Sequence, residues 1–107
     1  MLKRENRIRL KKEFLEIKDK GKIKYSPLFG LVFLKKDDDL KKVGFIVSKK
    51  ISKRAVDRNK IRRTLAEIMR KNLDKLEVGS RIVFLAKKEI LGKKMVEIKE
   101  EVEKLLK

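Results

Sequence analysis

Between Lys49 and Arg63 the chain carries eight cationic side chains and a single acid, Asp57. Cations packed this tightly repel one another unless a polyanion neutralises them. The stretch joins two kinds of element. Val43 to Val47 is an apolar run of strand length. From about Arg54 the spacing turns helical, with Ile61, Leu65 and Ile68 at i, i+4 and i+7, which predicts a helix ending near Asn72. At about 100° per residue, Ile61, Leu65, Ile68 and Met69 form a core-facing arc. Asn59, Arg62, Arg63 and Arg70 adjoin it, with Ala66 among them, and Lys60, Thr64 and Glu67 take the remaining side. Arginine suits such a stripe because its planar fork bonds phosphate oxygens bidentately, and Asn59 both donates and accepts. Only Asp57 and Glu67 are available to pair with this helix, so a merely solvated cationic face is the weaker reading. The chemistry on offer is the binding of a polyanion, nucleic acid first.

The composition narrows the alternatives. The 107 residues carry a formal net charge of +17 and a pI of about 10.2, with 41% apolar residues. That describes one folded domain, residues 1–107, with a nucleic-acid partner favoured over an anionic membrane. Cys and His are both absent, which removes disulfides, Cys-based zinc sites and His acid–base catalysis. Asp37, Asp38 and Asp39 are adjacent and flanked by lysines, so they read as a solvated turn and not as a metal site. No catalytic or metal-ligating constellation is expected in the chain. The N-terminus is charged at once, and the longest apolar run, Leu28 to Leu34, is too short to span a bilayer. A cytoplasmic protein without membrane contact is expected.

Other elements must position the basic helix. Residues 1–10 carry Lys3, Arg4, Arg7 and Arg9 against Glu5, and read equally as an arm ordered by its partner or as a frayed terminus. Leu10, Phe14 and Ile17 predict a helix over 11–20, with Gly21 as a left-handed stop. Leu28 to Leu34 is a strand. Residues 35–42 read as a hairpin loop to the strand Val43 to Val47. A loop from Leu73 to Ser80 leads to a strand from Arg81 to Ala86, followed by Lys87 and Lys88. Leu91, Met95, Ile98, Val102 and Leu105 form the seam of a last helix packed on the sheet. The order is helix, strand, strand, helix, strand, helix, with room for short strands between 22 and 42.

In that order, these residues resemble the protein subunit of bacterial ribonuclease P. The family signature is a strand ending in Val-Ser-Lys-Lys, here Val47 to Lys50, then a helix with an Arg-Asn-x-x-(Lys/Arg)-Arg core, here Arg58 to Arg63. Arg9 to Phe14 and Gly21-Lys22 also match, so the resemblance covers nearly the whole chain. It implies an α+β fold: a two-layer α/β sandwich with a mixed, mainly antiparallel sheet, of the kind seen in a ribosomal protein domain. It also implies a left-handed βαβ crossover, against the usual hand. The implied partners are the ribonuclease P RNA, which carries the active site and its Mg2+ ions, and precursor tRNA, whose 5′ leader the complex removes. No further protein partner is called for.

By position, the resemblance makes Lys49, Lys50, Lys53, Arg54, Arg58, Asn59, Arg62 and Arg63 RNA-contacting. It places Phe14, Lys18, Val32, Lys87 and Lys88 at a cleft for the single-stranded leader. Lys18 stands where the family usually has a second aromatic, Val32 where a facing aromatic is common, and Ala66 where an arginine often extends the stripe. The rival readings are a general RNA-binding or ribosome-associated protein without a role in tRNA processing, a helix-turn-helix DNA module, and a self-sufficient enzyme. Strands flanking the basic helix disfavour the second. The absent catalytic groups disfavour the third.

Overall fold

The computed structural model describes residues 2–106. Three helices are named here: α1 (Lys11–Lys20), α2 (Ala55–Asn72) and α3 (Met95–Leu106). The strands are β1 (Lys22–Tyr25), β2 (Phe29–Lys35), β3 (Lys42–Ile46) and β4 (Ser80–Ala86). They form one mixed sheet in the order β1-β2-β4-β3. β2 is antiparallel to both β1 and β4, whereas β3 runs parallel to β4. The α+β sandwich with a mixed sheet is thus the fold.

β2 and β4 are apolar on both faces because helices lie on both sides of the sheet. On one face Phe29, Leu31, Phe33, Val43, Phe45, Ile82 and Phe84 meet Ile61, Leu65, Ile68 and Met69 of α2 and Ile98 and Val102 of α3. On the other face Val32 and Val83 meet Ile17 of α1 and Ile8, with Phe14, Leu34, Ile46 and Leu85 at the margin. The arc assigned to the core of α2 is buried, together with Ala66 and Asn72. Asn72 satisfies its buried amide by donating to the Ile68 carbonyl at 2.8 Å.

Several expectations need correction. Residues 35–42 do not form a hairpin loop, since β4 inserts between β2 and β3. The arm over residues 2–10 is docked without a partner. Leu2 and Ile8 are buried in the two separate cores, the Ile8 N–H donates to the Val43 carbonyl at 3.0 Å, and Asn6 donates to the Lys41 carbonyl at 2.8 Å. The arm therefore covers the outer edge of β3, which would otherwise expose unpaired backbone. Gly21 has φ −79° and is no left-handed stop. A Cβ there would lie 2.5 Å from the Ile17 carbonyl oxygen and 2.8 Å from that of Phe33, so close approach is what requires glycine. Leu10 is exposed at the start of α1. The last helix starts only at Met95, after a turn at Gly92 (φ +76°), so Leu91 and Met95 are exposed and Ile90 is buried in their stead.

The aspartate triplet has a structural task. Arg81, its side chain only 4% exposed, donates to the Asp38 carboxylate and to the Leu40 carbonyl. This ties the 36–41 loop to the start of β4. Hydrogen bonding from Arg81 holds the Asp38 carboxyl below its ordinary value of 3.8. A depressed carboxylate contributes stability above its unfolded value and loses it as pH falls through the folded one. Asp38→Ala therefore lowers Tm more than Arg81→Met. The first strands a buried guanidinium, whereas the second leaves a carboxylate that water can reach. Thermal melts at pH 7 check the order. The gap between native protein and Asp38→Ala should narrow below about pH 3.8.

Candidate nucleic-acid interface

Because β3 and β4 are parallel, their C-terminal ends lie side by side. The connection 47–54 leaves one, and Lys87 and Lys88 leave the other. β2 runs the opposite way, which brings Tyr25 to this same end. The sheet topology thus gathers at one end most of the cations singled out by sequence.

α2 starts at this end with Arg54 as its N-cap residue. Lys49, Lys50, Lys53, Arg54, Asn59 and Arg63 are exposed, while Arg58 and Arg62 are half-buried. The two half-buried guanidiniums are tied to the connection. Arg58 donates to the Ser52 carbonyl at 2.8 Å, and Arg62 donates to the Val47 carbonyl at 3.3 Å. Arg62 also donates to the Asn59 side-chain oxygen at 3.0 Å, which leaves the Asn59 amide free to donate outward. Arg70, placed in the same stripe by the wheel, gives two hydrogen bonds to Glu67. That contact pulls the Glu67 carboxyl down from 4.5 to about 2. Arg70 is therefore an internally neutralised member of the stripe, unlike Arg63.

Lys88 lines a basin with Lys49, Lys50, Ile51, Ser52 and Lys53. The structure groups it with the connection and not with the α1 side of the sheet. Lys87 points to the α1 side, with Nζ 5.1 Å from the centre of the Tyr25 ring and donating to the Ser26 carbonyl at 2.8 Å.

On that face α1 crosses β2 and β4 and leaves β1 open. Phe14 is half-buried and fills the space above Gly44, where a Cβ would lie 2.5 Å from the ring. Lys18 is exposed, one turn further along α1. Both lie on the opposite side of the helix from Glu13 and Glu16, whose ion-pair partners are Lys42 and Lys36. Val32 is only 3% exposed, beneath α1, and has no surface to offer a ligand. Its neighbours on β1 do: Ile23 pairs with Val32 and Tyr25 with Gly30, and they are 44% and 66% exposed. The Tyr25 ring packs over Gly30, 3.6 Å from where a Cβ would stand. Phe14 thus lies over β3 at one edge of this sheet face, and Tyr25, with Lys87 beside its ring, on β1 at the other. Tyr25 was missed because Tyr25-Ser26-Pro27 reads as a break. The alternation of Ile23 and Tyr25 between lysines was the available signal.

Comparison with known proteins finds one family over nearly the whole chain. The profile of the Ribonuclease P family matches residues 2–107. A ribonuclease P protein component from Clostridium kluyveri is 37% identical over 103 residues, 94% of this chain and 91% of that one. One from Nitratiruptor is 36% identical over 99 residues, covering 92% and 87%. The solved ribonuclease P protein from Thermotoga maritima superposes with a TM-score of 0.84 at 30% identity, covering 94% of both chains. With the signature helix, the sheet order and these relatives in agreement, the chain belongs to the ribonuclease P protein family.

Proposed function

We propose that the chain is the protein subunit of a cytoplasmic ribonuclease P, an endoribonuclease that processes tRNA. It binds the ribonuclease P RNA through α2 and the connection 47–54, and the 5′ leader of precursor tRNA on the sheet face that carries α1, between Phe14 and Tyr25. The observation that carries this reading is the gathering at one sheet end of the lysine-lined connection, the start of the basic helix α2, and Lys87 over the exposed Tyr25 ring.

The chemistry of the cut belongs to the RNA in this reading. Among the described residues no three carboxylates converge as a metal site would need, so the protein's donors do not fit a catalytic Mg2+. Its own residues supply positioning. Two polyanions, the catalytic RNA and the precursor, repel each other when they dock. Lys49, Lys50, Lys53, Arg58, Arg62, Arg63 and Lys88 would neutralise phosphates that otherwise need high concentrations of divalent cation. Tyr25 and Phe14 offer ring faces to unpaired bases, which suits leaders of varied sequence because every base has a π-face. Where the family commonly has further aromatics, this chain has Lys18 and a buried Val32, so charge carries a larger share of leader binding.

The electrostatic part of the proposal has a direct test. If about five to eight phosphates are neutralised, log affinity for a ribonuclease P RNA falls with log salt at a slope of about −4 to −7. Filter binding between 50 and 400 mM salt, roughly the range where that slope is resolved, measures it. A slope near zero would contradict an interface built on phosphate.

A further inference from the structure

The basic stretch contains one acid, and its position is informative. Simple electrostatics places no carboxylate on a surface that binds phosphate, yet Asp57 lies in the first turn of α2, between Arg54 and Arg58. Its half-buried carboxylate accepts a hydrogen bond from the Ser52 hydroxyl at 2.9 Å. The Ser52 oxygen in turn accepts the Arg54 N–H at 3.2 Å, and the Ser52 carbonyl accepts Nη1 of Arg58 at 2.8 Å. Arg54 Nε stands 3.9 Å from the same carboxylate.

Ser52 is therefore clasped twice by the helix, through its hydroxyl and through its carbonyl. Arg54 gives α2 no side-chain cap, so a carboxylate in the first turn also compensates the positive end of the helix. At the other end of the connection Arg62 holds the Val47 carbonyl. Between these two ties lie Lys49 and Lys50, with Lys53 just beyond Ser52. Without the clasp, the path from Ser48 to Arg54 would be held by the burial of Ile51 and by its N–H donating to the Ser48 carbonyl at 3.0 Å.

Building on the RNA-interface reading above, we infer that Asp57 and Ser52 are positioning residues for RNA binding. They lock the lysine-bearing connection against α2, so that its lysines and the helix arginines meet the phosphate backbone as one preformed surface. Preorganisation of this kind raises affinity by removing the ordering cost at the moment of binding. Asp57 loses some attraction for the polyanion and returns more through geometry.

The two effects have opposite signs, which makes the inference testable. Asp57→Ala removes a negative charge together with the acceptor of the Ser52 hydroxyl. Bulk electrostatics alone would tighten binding to a transcript of a bacterial ribonuclease P RNA by about 2–5-fold, since one counter-charge is gone. The clasp predicts binding about 3–10-fold weaker. Ser52→Ala, with no change of charge, should weaken binding by a similar factor. The double variant should be no weaker than either single one, because both remove the same contact. Hydrogen exchange of the 48–54 amides should rise in all three, at a temperature where circular dichroism shows each folded. A role in global stability alone would lower Tm and leave affinity and local exchange unchanged. Tighter or unchanged binding by Asp57→Ala, with Ser52→Ala like native, would overturn the inference and leave the RNA interface standing. Native protein that fails to bind the transcript in a salt-dependent way would overturn the interface itself.

Discussion

Replacing Arg58, Arg62 and Arg63 together with alanine should weaken binding to ribonuclease P RNA by about 100- to 1000-fold, with the native circular dichroism retained. Each guanidinium offers a charge-assisted, forked contact to phosphate, and three are lost at once. The salt slope should become shallower by about 2 to 3, close to 0.9 per phosphate contact. The fold should persist because none of the three side chains is fully buried. Their protein partners are backbone carbonyls of the 47–52 segment and the Asn59 side chain, groups that water can serve in their place. The lysine triple variant should recover part of the affinity, since it restores charge without the planar fork. Affinity within about threefold of native, with an unchanged slope, would remove α2 from the interface.

The largest expected loss of stability is at Phe84. Its ring is fully buried at the centre of β4, edge-on to Phe29 at 5.2 Å and stacked on Phe45 at 5.7 Å. Phe84→Ala leaves a cavity that three strands cannot close, since β4 is held by β2 on one side and β3 on the other. The cost is about 3–5 kcal/mol, and the loss of two ring pairs puts it toward the upper end. For a domain of this size that lowers Tm by about 15–30 °C, as calorimetry would show. A fall below about 5 °C would mean the core repacks freely around β4. The site depends on this packing, because the ends of β3 and β4 carry both basic connections.

The helix α2 was legible in the sequence because one amphipathic pattern settles its limits, its core arc and its exposed arginines together. The three long strands were legible for a similar reason: apolar runs of five to seven residues between charged turns leave little else. The pairing of those strands was not. Inserting β4 between β2 and β3 depends on contacts across 39 residues or more, which no local period records. The docked arm was missed because its cations outnumber Leu2 and Ile8, the two residues that decide its place. At Gly21 the residue type was informative and the reason differed: backbone on two sides excludes a Cβ. Within the site, the signature motif located the cations of α2 and the connection. It could not show that Arg70 is spent on Glu67, that Lys88 joins the connection, or that Val32 is covered by α1. Those are properties of register, and so is the exposure of Tyr25.

The most direct measurement is precursor-tRNA cleavage by a bacterial ribonuclease P RNA at low magnesium, with and without this protein. Cations borne by the protein should replace the missing divalent screening, so the protein should restore cleavage at the mature 5′ end. The gain should be greatest at low magnesium and shrink as magnesium rises. Binding to the RNA with cleavage unchanged at every magnesium concentration, across several types of ribonuclease P RNA, would contradict the proposed role.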